Sequence, residues 1–270
     1  MFEAPGAAFR RGVVSAGEFA LDYAEAGPGS PRGTIVSLPG SAGLEMSTAK
    51  DLLAEEYRII EINPPGFGGK TDLNRVMAQS ELGKLLAEAA TTLVDGPFVV
   101  LGTSIGGINA LYLAAQEKER VLGVVLEASM GPSTPEDLTA PPVTPDADAK
   151  DLPVPPTHPK KPWADADYIA TQIADRMALF QWVSPDFAAA TAVAAVRDHA
   201  TPVLALLGEH DEFLRPSQEK TFREILPHAD FRLLPEGTHD LQNTVPDMFV
   251  TLVRSFVSEL GVRPGASNAG

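Results

Sequence analysis

The sequence predicts an α/β fold with a mostly parallel central sheet. Short runs of β-branched or Leu-rich residues recur along the chain, each is followed by a turn signal, and stretches with helical spacing separate them. Continuous apolar character over four to six residues suits a strand covered on both faces, as in a parallel sheet flanked by helices. Strands and helices alternating in this way point to crossover connections rather than to hairpins.

The elements follow in order. Gly12 to Ala26 reads as a pair of antiparallel edge strands, and Gly33–Leu38 and Tyr57–Ile62 are the first buried runs. Ser80 to Leu93 places Leu82, Leu85, Leu86, Ala89 and Leu93 on one helical stripe, with Ser80 as the expected N-cap. Phe98–Leu101 is a strand, Ile105–Gln116 a helix and Val121–Leu126 a further strand. Ten of the 24 prolines then fall between Pro132 and Pro162, which forbids a regular helix or a central strand there. A long irregular segment inside a compact domain is usually functional or flexible. Helical character resumes over Trp163–Val183 and Pro185–His199, and Val203–Leu207, Phe231–Leu234 and the helix Pro246–Leu260 close the pattern. Residues 1–130 and 201–264 are therefore expected to form the core, with 131–200 an insertion capping one end of the sheet and 265–270 a frayed tail.

Composition removes several function classes. The 270 residues contain 44% apolar side chains, enough for a substantial core in one α/β domain. Asp and Glu number 36 against 21 Lys and Arg, and the net charge of −15 takes away the electrostatic basis for binding nucleic acid or anionic lipid. With no cysteine there is no disulfide, no thiolate metal site and no cysteine nucleophile. The first residues lack the pattern of a signal peptide, and no apolar run reaches the roughly 18 residues that span a bilayer, so a cytoplasmic protein is expected.

The strongest chemical signal is Gly102-Thr103-Ser104-Ile105-Gly106-Gly107, directly after a strand and opening a helix. A serine at so tight a turn is held in strained backbone angles that lift its hydroxyl above the sheet, and the flanking glycines avoid clashes with neighbouring strand and helix. The helix N-terminus behind it supplies free N–H groups where an oxyanion would form. Gly208-Glu209-His210-Asp211 follows one late strand, and Gly237-Thr238-His239 follows the last.

In these motifs and their order the chain resembles the α/β-hydrolase superfamily, over nearly its whole length. The resemblance implies a triad of Ser104, Asp211 and His239. His239 would take the proton of Ser104 and return it to the leaving group, while Asp211 orients the imidazole. Glu127, at the end of the strand Val121–Leu126, is the alternative acid, because some branches place it there. The oxyanion hole is expected from the N–H groups of Ile105 and Ser41, the latter in Pro39-Gly40-Ser41, where relatives commonly have His-Gly. Asn63-Pro64-Pro65-Gly66-Phe67-Gly68 resembles the family's Asp-x-x-Gly-x-Gly turn, with a structural role and with Phe67 able to line the pocket.

Gly40, Phe67, Met130, Phe180 and Trp182 are the expected substrate-binding residues, with Trp163, Ile173 and Met177 among the other apolar side chains of the insertion. His158, His199, His210 and His228 lack the Gly-x-His context and read as surface or cap residues. The expected activity is serine hydrolysis of neutral, fairly apolar small esters or lactones, with no cofactor and no metal. C–C bond hydrolysis or acyl transfer on the same triad, or a ligand receptor without turnover, are the competing readings.

Overall fold

The computed structural model describes residues 4–70, 75–134, 137, 166–213 and 216–261. Its central sheet has eight strands: β1 (Arg10–Ala16), β2 (Phe19–Ala26), β3 (Thr34–Leu38), β4 (Arg58–Ile62), β6 (Phe98–Thr103), β7 (Val121–Glu127), β9 (Val203–Gly208) and β10 (Asp230–Leu234). The two remaining strands, β5 (Met77–Ala78) and β8 (Val183–Ser184), pair only with each other. Spatial order is β1-β2-β4-β3-β6-β7-β9-β10, with β1 and β2 antiparallel at one edge and every pairing from β4 to β10 parallel.

Helices cover both faces, and the strands read as continuous apolar runs for that reason. On β6, Phe98 and Val100 join the core beneath α2 (Gln79–Leu93) and α3 (Ile105–Gln116), while Val99 and Leu101 face the opposite core. That second core is closed by α1 (Thr48–Ala54) and the last long helix, α8 (Pro246–Glu259). Alternation with period two puts successive strand residues into different hydrophobic layers.

The helix expected from Ser80 begins one residue earlier, and Ala78 caps it without a side-chain hydrogen bond. Met77 and Ala78 are held in β5 by pairing with β8, which fixes the chain's entry, and Gln79 turns inward to hydrogen-bond Asn109 of α3. Within the predicted insertion, α4 (Ala166–Trp182) buries only Asp175 and Leu179. By contrast α5 (Ala190–Asp198) packs on α3, and its Ala192, Val193 and Val196 belong to the main core. Helix α5 is thus a layer of the α/β core, and among the described residues of 131–200 it is α4 that stands apart. Most of the proline-rich stretch, with His158, Lys160, Lys161 and Trp163, lies outside the described residues, as does 265–270. Two further helices, α6 (Pro216–Ile225) and α7 (Leu241–Thr244), complete the chain. Among the described residues no helix is long and apolar enough to cross a membrane.

Candidate active site

Because β6, β9 and β10 run parallel, the loops after them open on one edge of the sheet, beside the point where strand order reverses at β3. Ligand crevices of open α/β sheets form at such a point. Ser104, between β6 and α3, has φ 54° and ψ −121°, a backbone state that non-glycine residues adopt only under tertiary constraint. The constraint is visible: the Ser104 N–H donates to the carbonyl of Glu127 (2.9 Å), and the Ser104 carbonyl accepts from the N–H groups of Gly107 and Met130 (3.0 Å each). A methyl group on Gly102 would strike the backbone of Gly106, and one on Gly106 would strike the carbonyls of Leu38 and Pro39. The turn closes only because neither residue has a side chain.

His239 sits in the loop between β10 and α7. Its Nε2 lies 3.0 Å from Ser104 Oγ, and its Nδ1 lies 3.0 Å from both carboxylate oxygens of Asp211. Asp211 Oδ1 also accepts from the N–H of Phe213 (2.9 Å), and the Phe213 ring meets the imidazole edge-on at 4.7 Å between centroids. The two loops are zipped together, the N–H of His210 donating to the carbonyl of Gly237 (2.8 Å). Gly208 and Gly237 approach so closely there that a Cβ on Gly208 would overlap the Gly237 carbonyl. Burial is the largest influence on the imidazole and opposes its charged form. The charge and hydrogen bond of Asp211 together outweigh it, with Glu212 and Glu127 adding, so His239 titrates above its ordinary value.

Glu127 is fully buried behind this assembly and does not bond to His239. It accepts from Thr103 Oγ1 (2.6 Å), from the side-chain amide of Gln242 and from the Gln242 backbone N–H (3.2 Å). Burial pushes its carboxyl up to about 7 in spite of these donors. Glu127 therefore braces the residue before Ser104 against the helix that follows His239. It lines a small polar pocket together with Lys50, Glu61, Thr103, Asp240 and Gln242.

Gly40 lies against Ser104, with a Cβ there falling 3.3 Å from that of the serine. The N–H groups of Ser41 and Ile105 donate to no partner among the described residues. Met130 touches Ser104 through its backbone. The other expected pocket residues lie apart from the triad's hydrogen bonds. Phe67 is 1% exposed in the main core, Trp182 packs half-buried against that core, and Phe180 is 54% exposed on α4, as Met177 is at 60%. The glycine-rich turn around Phe67 holds α4 instead: the Gly68 N–H donates to Asp175 Oδ1 at 2.8 Å. Asp175 and its neighbour Arg176, whose Nε donates to Ser41 Oγ at 3.3 Å, have no signal in the sequence, since adjacent charges on a helix ordinarily face water. His199, His210 and His228 lie away from the triad, His210 beside Glu236 at 3.7 Å and His228 at the Thr201 carbonyl.

A family model for the alpha/beta hydrolase family matches residues 35–252, so the chain belongs to that family. Among solved structures it is similar to a serine hydrolase from the polyaromatic-hydrocarbon-degrading bacterium Cycloclasticus zankles (TM-score 0.69, 17% identity, 93% of this chain and 99% of that one). It is also similar to the carboxylesterase CesB of Bacillus subtilis (0.67, 16%, 93% and 92%) and to the thioesterase domain of the curacin biosynthetic pathway (0.66, 15%, 92% and 99%). A search of curated proteins by sequence finds no match. At such identities the likeness carries the fold, and the chemistry has to be argued from the site.

Proposed function

We propose that the protein is a serine hydrolase that cleaves carboxylic esters of small molecules through an acyl-enzyme on Ser104. The observation that carries this reading is the unbroken chain from Ser104 Oγ to His239 Nε2 and from His239 Nδ1 to Asp211, each link 3.0 Å long. His239 accepts the Ser104 proton as Oγ attacks the ester carbonyl, and the N–H groups of Ser41 and Ile105 stabilise the oxygen that becomes negative. His239 then gives that proton to the departing alcohol as its C–O bond breaks. Water attacks the acyl carbon, its proton passing to His239 and then to Ser104 Oγ, and the carboxylic acid leaves. Asp211 keeps Nδ1 protonated and steadies the imidazolium at both stages. None of these steps draws on a cofactor or metal.

The test is a fluorophosphonate, which needs no knowledge of the substrate, followed by esters and lactones of graded chain length. Rapid adduct formation on Ser104, slowed by orders of magnitude in His239→Ala, is expected, with steady turnover of at least one ester. Labelling at equal rates with and without His239 overturns the reading. A single turnover with product retained would mark a receptor instead.

A further inference from the structure

Arg176 binds beside the Gly40–Ser41 turn, and no acidic side chain among the described residues balances its charge. Most basic residues of this acidic protein are matched: Lys50 with Glu61 at 2.7 Å, Arg58 with Glu25 at 2.8 Å, Lys70 with Asp22 at 2.7 Å and Arg254 with Glu56 at 2.9 Å. Arg176 is half-buried on α4 and makes no ion pair among the described residues. Burial alone acts on its guanidinium and works against the charge. Asp175, its neighbour along the helix, turns to the Gly68 N–H. Among the described residues the guanidinium of Arg176 makes one hydrogen bond, from Nε to Ser41 Oγ, and its terminal N–H groups meet no partner. Ser41 adjoins Gly40, which lies against Ser104, so the guanidinium stands at the rim of the Gly40–Ser41 turn. An unpaired, partly desolvated arginine is costly to keep unless something anionic completes it, and its planar fork of donors matches a carboxylate in two parallel hydrogen bonds.

We propose that Arg176 is a substrate-recognition residue and that the ester cleaved at Ser104 carries a free carboxylate. The proposal rests on the ester-hydrolase reading for the reaction but not for the anion site. It departs from the neutral substrate expected from the sequence, because one local charge held on Ser41, beside the Gly40 that lies against Ser104, outweighs a net charge spread over the surface.

Two matched ester pairs and one binding measurement test it. The acyl-side pair is the mono-para-nitrophenyl ester of glutaric acid against para-nitrophenyl pentanoate. The alcohol-side pair is O-acetylglycolate against ethyl acetate. In the wild type one pair should favour its anionic member in kcat/KM by about tenfold or more. In Arg176→Gln that ratio should fall by at least about tenfold, and Arg176→Lys should restore part of it, since a point charge lacks the fork. Calorimetry of glutarate with Ser104→Ala should show binding that the added Arg176→Gln substitution weakens at least about tenfold. No charge preference in either pair, or equal losses on both members of a pair, would make Arg176 a strut for Ser41 and overturn the anion site while leaving hydrolysis standing. Arg176-dependent glutarate binding without any ester turnover or fluorophosphonate adduct would do the opposite.

Discussion

The two sides of the candidate active site are built on different physics. Ser104, Asp211 and His239 hang from the ends of three parallel strands whose register is fixed along the whole sheet, and glycines let their loops touch. Facing them, α4 buries two of its residues and is tied down by side-chain contacts: Asp175 to Gly68, Arg176 to Ser41 and Tyr168 to Glu45 at 3.4 Å. Steric exclusion in a packed core tolerates no compromise, whereas a few polar ties can be traded during evolution. The reaction should therefore belong to the core side, and the choice of substrate to α4.

The largest effect that could break this division is expected at Asp211. In Asp211→Asn the amide can present N–H to Nδ1 and favour the wrong tautomer, so kcat should fall about 10³–10⁴-fold on every ester tested. The pH profile adds a second readout. His239 must be neutral to accept a proton, and it titrates above 6.5, so wild-type kcat/KM should climb with pH through a value above 6.5. In the variant burial remains and the carboxylate does not, which moves that limb downward. An unchanged profile would take Asp211 out of the charge chain.

Next in size is Gly106→Ala. The added methyl collides with two backbone carbonyls that cannot rotate away, so unfolding free energy should drop by on the order of 3 kcal/mol or more in denaturant titration. A milder loss would show that the elbow yields, and the contrast between the two sides of the site would weaken.

That contrast also explains what could be read from the sequence. Gly102 to Gly107 specify a turn through their missing side chains, and a strand before and a helix after are enough to place Ser104. Chain order and parallel strand ends then bring Asp211 and His239 to it. Arg176 and Asp175 gave no such sign, because their roles come from where α4 docks, and docking rests on contacts more than 100 positions apart in sequence. Phe67 misled for a related reason. Its turn does flank the site, but the ring points into the core and the backbone N–H of Gly68 does the work at the surface. The short helix α1 was illegible too, since in seven residues the apolar pattern has no room to repeat.

Glu127 sharpens the comparison from inside the core. Its carboxyl stands near 7 when folded against 4.5 when free, so the folded protein holds a proton that the unfolded chain lacks across that window. Stability should accordingly decline as pH rises from about 5 to 7, by up to about 1.4 kcal/mol per pH unit from this group. Glu127→Gln should remove that part of the slope, whatever its own stability, in urea unfolding at several pH values. Its rate should fall much less than that of Asp211→Asn, because Glu127 holds Thr103 and Gln242 rather than the imidazole. A loss of equal size would make Glu127 the triad's acid.

The smallest effect belongs to Asp175 and bears on α4 alone. Its Oδ1 accepts from Gly68, and Oδ2 fills the space beside Gly43, just past the Gly40–Ser41 turn. Asp175→Ala leaves the Gly68 N–H without its partner and opens a gap against that turn, which should cost about 1–2 kcal/mol. The helix then docks less tightly while the strand ends stay as they were. KM should therefore rise several-fold with kcat nearly constant, and amide exchange should quicken in α4 but not in α3. Asp175→Asn keeps an acceptor for Gly68 and should lie between wild type and alanine. If kcat falls with KM unmoved, α4 takes part in the chemical step, and the division between a reacting core and a selecting helix is mistaken.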